Sequence, residues 1–192
     1  MTTATTSLTT SQDGTLTGDY EIDPSHSRVG FATRHAMVTT VRGRFTGYRA
    51  EVHLDQENPQ NSSVRVEIDT ATVDSGNADR DAHLRSPDFF DVENYPTIVF
   101  QSRKVEKTDD DVYALIGDLT VKDKTQPVSV EFEVIGTTQD PWGNFRAGFE
   151  GRATVNRRDW GLEWNMPLDK GGVLVAEKVK LEFDISATRK SA

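Results

Sequence analysis

The sequence predicts an all-β fold, an antiparallel barrel of about eight strands with one or two short helices. Apolar and polar residues alternate with a period of two through most of the chain after Tyr20, as in strands with one buried and one solvated face. Turn segments with Gly, Asp, Asn or Pro separate these runs. Several runs reach ten to fourteen residues, which favours a closed barrel over an immunoglobulin-type sandwich.

The strands are expected in eight or nine stretches along the chain. The stretches that alternate without a fault are 64–69, 128–134 and 179–185. The stretches that are less regular but still extended are 27–34, 41–55, 97–107, 112–122 and 145–155. Long antiparallel strands must either close into a barrel or protect their edges, and strands of this length favour closure.

The stretch 41–55 changes face part-way along. Its apolar residues have one parity from Val41 to Phe45 and the opposite parity from Ala50 to Leu54. A strand needs an extra residue to exchange its faces, so we predict a bulge or bend near Gly47. Such a bend lets a strand turn the corner of a barrel.

Three segments depart from the β pattern. Residues 77–85 (NADRDAHLR) are compatible with a helix that ends before Ser86-Pro87. Residues 156–172 are long for a hairpin loop and carry tryptophans, which is typical of a lid or plug. Residues 1–18 (MTTATTSLTTSQDGTLTG) are weakly hydrophobic, so we predict a disordered tail there and a barrel domain over 19–188.

The composition excludes several classes of function. The chain has 22 Lys and Arg against 31 Asp and Glu, a net charge of −9, which argues against nucleic-acid binding and electrostatic docking on anionic membranes. It has no cysteine, so disulfides, thiolate metal sites and cysteine nucleophiles are excluded. The first residues carry neither a basic nor an apolar signal region, so we expect a cytoplasmic protein.

No motif in the sequence specifies a reaction. Zinc-motif spacing is absent among the four histidines, which are His26, His35, His53 and His83, and no metal or cofactor is expected. Ser25 and His26 are neighbours, and neighbours on a strand point to opposite faces, so a local nucleophile–base pair is not expected. Instead, 23–25 is predicted to be a turn. On a helix, Asp79 and His83 would share a face.

Several motifs together resemble the YceI-like, or polyisoprenoid-binding, family. They follow the family's order over about residues 20–187, with Phe31 and His35 also fitting its pattern. The motifs are YEIDPSHS at 20–27, GRF at 43–45, VDSG at 73–76, RDAHLRS at 80–86, DFFDV at 88–92, YPTIVF at 95–100, GDLTV at 117–121 and RDWG at 158–161. The segment KDKT at 122–125 departs from the Gly-containing turn that family members often carry.

The resemblance implies a lipocalin-like barrel with an elongated apolar cavity and no catalysis. Its ligand would be a polyisoprenoid chain, an isoprenoid quinone or a similar long-chain amphiphile. The expected cavity lining is Phe31, Phe45, Ile68, Phe100, Leu119, Phe132, Phe149 and Leu174. Phe89 and Phe90 are expected at one mouth, and Trp160 and Trp164 beside an opening.

Two hypotheses about function follow. The first is a non-catalytic protein that binds, transports or sequesters such a lipid; it allows transient membrane contact and a homodimer. The second is an enzyme that acts on a lipid-like substrate inside the barrel, with Asp81 and His83 as acid and base. The second hypothesis requires both of these side chains to face the lumen.

Overall fold

The computed structural model describes residues 15–191. In this range the strands are β1 (Gly18–Ile22), β2 (Arg28–His35), β3 (Thr39–Phe45), β4 (Tyr48–Leu54), β5 (Ser63–Asp69), β6 (Val73–Asp74), β7 (Thr97–Asp109), β8 (Val112–Val121), β9 (Lys124–Gln139), β10 (Phe145–Asn156) and β11 (Val175–Arg189). The α-helix is α1 (Ala78–Arg85), and the 3₁₀ turns are Pro59–Asn61, Thr70–Thr72 and Arg157–Trp160.

The strands form one antiparallel sheet that closes into an eight-stranded barrel. The order around the wall is β1, β4, β5, β7, β8, β9, β10 and β11, and β11 pairs again with β1. At one end, β2 and β3 continue the wall, because β2 pairs with β11 and with β3. The predicted all-β barrel is confirmed, and closure leaves the main ring without an unpaired edge.

The break between β3 and β4 falls at Thr46 and Gly47, where the bend is predicted. The Gly47 N–H donates to Thr72 Oγ1 at 2.9 Å, and the Gly47 carbonyl accepts from the Asp69 N–H at 2.9 Å. A Cβ at Gly47 would lie 2.7 Å from Thr72 Cγ2. The glycine therefore lets the bent strand approach the neighbouring 3₁₀ turn closely.

Alternation along the strands decides which residues face the interior. The residues of β11 that line the barrel interior are Val179, Leu181 and Phe183. Lys180, which lies between the first two, and Asp184, which follows the third, are exposed. Since successive side chains of a strand point to opposite faces, the polar residues remain in water without any rearrangement of the backbone.

Helix α1 lies at one end of the barrel, which we call the upper end. Asn77 caps the helix by accepting a hydrogen bond from the Arg80 N–H at 2.9 Å. Ser86 ends it, and the Ser86 N–H and hydroxyl both donate to the His83 carbonyl. The helix predicted at 77–85 is therefore observed. Within residues 15–191, no helix has the length and apolar character needed to cross a membrane.

At the opposite, lower end, Leu16 packs against the barrel. It is 8% exposed; its N–H donates to Gln56 Oε1 at 2.6 Å, and its carbonyl accepts from the Tyr20 hydroxyl at 2.9 Å. The predicted disordered tail falls mostly outside the described residues. Residues 15–18 differ from that expectation, because Leu16 covers an apolar end of the interior.

A charged cluster ties the β1–β2 turn to the β9–β10 hairpin. Arg146 donates to Asp23 Oδ2 at 2.9 Å and to Asp140 Oδ2 at 2.8 Å. Hydrogen bonds from Ser25 and Arg146 hold the pKa of the Asp23 carboxyl well below its usual range. The Arg146 guanidinium does the same to the pKa of Asp140. The cluster joins segments that lie far apart in the sequence.

This cluster predicts a dependence of stability on acid. Because the pKa of Asp140 is lower in the folded chain than its ordinary value of 3.8, its ionised form stabilises the fold above about pH 4 and this contribution is lost as the pH falls. We expect Asp140→Asn to lower the melting temperature at neutral pH, and to reduce the further loss of melting temperature on acidification. Circular dichroism melts measure both.

The control for this variant is Asp110→Asn, because the Asp110 side chain is fully exposed on the β7–β8 turn. It should leave the melting temperature and its pH dependence close to those of the unmodified protein. An equal change in both variants would contradict a specific role for the cluster.

Candidate functional site

The barrel interior contains two adjoining cavities with almost wholly apolar walls. The upper cavity has a volume of about 550 Å³ and the lower one about 200 Å³. The upper volume lies within the range of roughly 300–1,000 Å³ that is usual for small-molecule sites. The shape and chemistry of this interior suit a ligand without polar groups along its buried part.

All twelve residues predicted to bind a ligand lie in the walls of these cavities. The upper cavity contains Phe31, Phe45, Phe89, Phe90, Trp160, Trp164 and Leu174. The lower cavity contains Phe100, Phe132 and Phe149, while Ile68 and Leu119 line both. Their contact with a ligand stays a prediction.

Two phenylalanine rings lie over glycines of neighbouring strands. Phe31 pairs with Gly43 across β2 and β3, and Phe132 pairs with Gly151 across β9 and β10. A Cβ would lie 2.4 Å from the Phe31 ring at Gly43, and 2.3 Å from the Phe132 ring at Gly151. Both distances are far below van der Waals contact. Glycine therefore lets these rings rest against the wall.

Three rings pack together at the upper mouth. The His83 ring contacts Trp164 edge-on at a centroid distance of 4.5 Å and Phe89 at 5.0 Å. The Phe89 and Trp164 centroids are 5.5 Å apart. This cluster joins α1 to the loop after β10, so that the predicted lid segment is held against the helix by aromatic contacts.

The loop after β10 is also held by hydrogen bonds from Trp160 and Arg157 to backbone carbonyls. Trp160 is buried, and its Nε1–H donates to the Leu119 carbonyl at 2.8 Å. Arg157 is buried as well and donates to the carbonyls of Leu162 at 2.5 Å and Ala176 at 3.0 Å. Burial lowers the pKa of the Arg157 guanidinium. The arginine thus fastens the loop to the start of β11.

The β1–β2 turn differs from one sequence-based expectation. Ser25 Oγ lies 2.9 Å from His26 Nδ1, because the predicted turn, unlike a strand, brings neighbouring side chains together. Asp23 Oδ2 lies 2.9 Å from the same ring nitrogen. A nucleophile–base–acid relay uses the two different nitrogens of the imidazole. The arrangement is therefore that of a hydrogen-bonded turn.

The acid–base pair that the enzyme hypothesis requires does not assemble. The Asp81 carboxylate accepts hydrogen bonds from the Ser75 N–H and hydroxyl, and neither cavity includes Asp81 in its wall. Asp79 and His83 both line the upper cavity, but the carboxylate 2.8 Å from His83 Nε2 belongs to Asp88. In the part of the chain that the structure describes, no group of three potential metal ligands comes together.

The sequence motifs agree with a family-wide comparison. The profile of the YceI-like domain matches residues 20–187. This chain belongs to the YceI-like family. A UPF0312 protein of Pseudomonas aeruginosa is 38% identical over 153 residues, which are 79% of this chain and 80% of the relative. A UPF0312 protein of Vibrio cholerae is 38% identical over 147 residues, 76% of this chain and 78% of the relative.

Solved structures with this fold come from several bacteria and include a YCEI protein. Burkholderia cenocepacia BcnA superposes with a TM-score of 0.77 at 24% identity, covering 87% of this chain and 99% of BcnA. A Campylobacter jejuni YCEI protein gives 0.72 at 24% identity, with 82% and 90% covered. A polyisoprenoid binding domain from Saccharophagus degradans gives 0.65 at 13% identity, with 89% and 98% covered. These likenesses support the fold.

Other residues of this YceI-like interior lie outside the twelve predicted ligand-binding residues. Val29, Leu181 and Phe183 line both cavities, and the alternation in their strands was the signal that could have found them. Arg157 and Leu162 line the upper cavity from the loop after β10. No periodic pattern exists in that loop, so sequence alone offered no comparable signal for these two.

The buried arginine gives a prediction about stability. Arg157→Met removes the donor of the Leu162, Val175 and Ala176 carbonyls. We expect a loss of about 3 kcal/mol in the free energy of unfolding, because the carbonyls are left without this partner. Arg157→Lys should lose less, since an ammonium can still donate to part of the set. Chemical denaturation measures all three proteins.

The adjacent Arg158→Met is the matched control. Arg158 pairs with Glu177 at 2.8 Å, and both side chains are about half exposed, so its loss should cost about 0.5 kcal/mol or less. Equal destabilisation by the two substitutions would contradict the anchoring role of Arg157.

Proposed function

We propose that this YceI-like protein binds a polyisoprenoid chain, an isoprenoid quinone or a similar long-chain amphiphile in its barrel without catalysing a reaction. The observation that carries the proposal is the interior itself, two adjoining cavities with almost wholly apolar walls. The related fold of the Saccharophagus degradans polyisoprenoid binding domain supports the same class of ligand.

The walls favour a hydrocarbon tail and disfavour a buried head group. A polar group taken into an apolar cavity without a partner loses its hydrogen bonds to water. Polar residues do occur in the upper wall, where β2 ends and α1 runs; they are Arg34, His35, Asp79, Arg80 and His83. A head group is therefore best accommodated toward this rim, with the tail below it.

The solvation of the free ligand suits reversible binding. An isoprenoid lipid outside the protein lies in a membrane or micelle, where its tail is already removed from water. Moving the tail into the barrel therefore changes its hydration little. Shape and the position of the head group then decide occupancy, which is the balance that a protein needs if it both captures and releases its ligand.

The remaining parts of the proposal concern the cell. We propose that the protein transports or sequesters its ligand, that it contacts membranes transiently and that it is cytoplasmic, with a homodimer as a further expectation. These points rest on the sequence-based reasoning. The enzyme alternative has no support from the Asp81–His83 geometry.

Native mass spectrometry of freshly purified protein tests the proposal. We expect an added mass that is lost on denaturation and that appears in a solvent extract as an isoprenoid or other long-chain lipid. The same spectrum reports the number of subunits. An empty extract, together with no binding of added prenol or isoprenoid quinone, would overturn the proposal.

A pair of substitutions tests whether the tail lies in the lumen. Val179 lines the upper cavity, and the next residue, Lys180, is exposed on the outer face. Val179→Gln should weaken binding of a prenol by roughly 5- to 150-fold, because a tail would bury the new amide at a cost of roughly 1–3 kcal/mol. Lys180→Gln should keep the affinity. Titration with a fluorescent prenol measures both, and equal affinities would contradict lumen binding.

A further inference from the structure

The two cavities meet at a set of shared lining residues, which we call the waist. The residues that line both cavities are Val29, Ile68, Leu119, Leu181 and Phe183. They belong to β2, β5, β8 and β11, which are spread around the wall in the observed strand order. The shared residues leave one interval of two strands at β1 and β4 and another at β9 and β10.

An aromatic pair lies across the interval at β9 and β10. Phe183 on β11 is paired with Gly151 on β10, and Gly151 is paired with Phe132 on β9. The two phenylalanine rings stack with centroids 5.8 Å apart and an interplanar angle of 27°. Because Gly151 lies between them and has no side chain, the rings meet across the intervening strand. The pair thereby covers the β9–β10 side of the waist.

We propose that the stacked Phe132–Phe183 pair is a gate that limits how far an isoprenoid tail enters the barrel. This inference rests on the proposed function and adds a determinant of chain length to it. Phe183 is the largest side chain of the waist, and the stack holds its ring at the floor of the upper cavity. Tails that fit the upper cavity bind with the gate closed, and longer tails must displace the ring.

The gate makes opposite predictions for two substitutions. Phe183→Ala removes the ring and joins the 200 Å³ lower cavity to the upper one. Gly151→Ala instead places a Cβ 2.3 Å from the present position of the Phe132 ring, which forces that ring away from the wall and narrows the passage. The first should favour longer tails, and the second should disfavour them.

The matched control is Phe31→Ala. Phe31 also rests on a glycine, Gly43, but it lines the upper cavity alone. The control removes the same ring as Phe183→Ala and therefore the same volume. It enlarges the upper cavity without joining it to the lower one, so any effect of added volume as such appears in both variants.

The experiment offers each purified protein an equimolar mixture of a four-unit and a nine-unit linear prenol in phosphatidylcholine vesicles. Solvent extraction of the re-isolated protein and mass spectrometry then give the ratio of long to short prenol. We expect Phe183→Ala to raise this ratio about tenfold over the unmodified protein. Phe31→Ala should change it by about twofold or less, and Gly151→Ala should lower it.

The outcomes distinguish failure of the proposed lipid binding from failure of the gate. If the unmodified protein takes up neither prenol, the proposed function fails. If it takes up prenol and the ratio moves equally in Phe183→Ala and Phe31→Ala, the gate is overturned while lipid binding stands. Circular dichroism verifies folding, and Phe183→Leu replaces the alanine variant if the latter does not fold.

Discussion

The structure depends on one constraint: the apolar inner face of the barrel must be kept away from water while the lumen that it encloses stays unfilled. An eight-stranded barrel has an interior that side chains can just fill. In this chain the rings of Phe31 and Phe132 rest on Gly43 and Gly151, so that each of these large side chains lies against the wall. The β1–β11 pairing closes the sheet, and the glycine pairs keep these rings against the wall of the lumen.

The ends of the barrel meet a related requirement, because an apolar lumen must be shielded where the strands stop. At the lower end Leu16 does this, although it lies in a segment of low hydrophobicity. At the upper end α1 and the loop after β10 do so through the His83, Phe89 and Trp164 rings. Arg157 holds that loop by donating to the backbone carbonyls of Leu162 and Ala176.

The polar groups of the described chain take part mainly in shaping the fold. Asp81 supports Ser75, His83 bonds to Asp88, and Asp23 is held by Ser25 and Arg146. A catalytic site needs such groups to converge on one reacting atom. Here each of these groups has its own hydrogen-bond partners, and the polar residues of the cavity wall lie mainly at the upper rim. This division agrees with a protein that recognises its ligand by shape.

The sequence by itself determined the class of fold and part of the lining. Period-two alternation predicted the strands, and the parity change predicted the break at Gly47. These two features are local, since a residue's face follows from its position in its own strand. The resemblance to the YceI-like family supplied the twelve candidate ligand-binding residues, seven of which lie on strands. Tertiary structure alone decided which faces meet: Phe132 reaches Phe183 across Gly151, and Leu16 covers the lower end. Such pairings depend on register between distant segments, which the alternation within one strand does not specify.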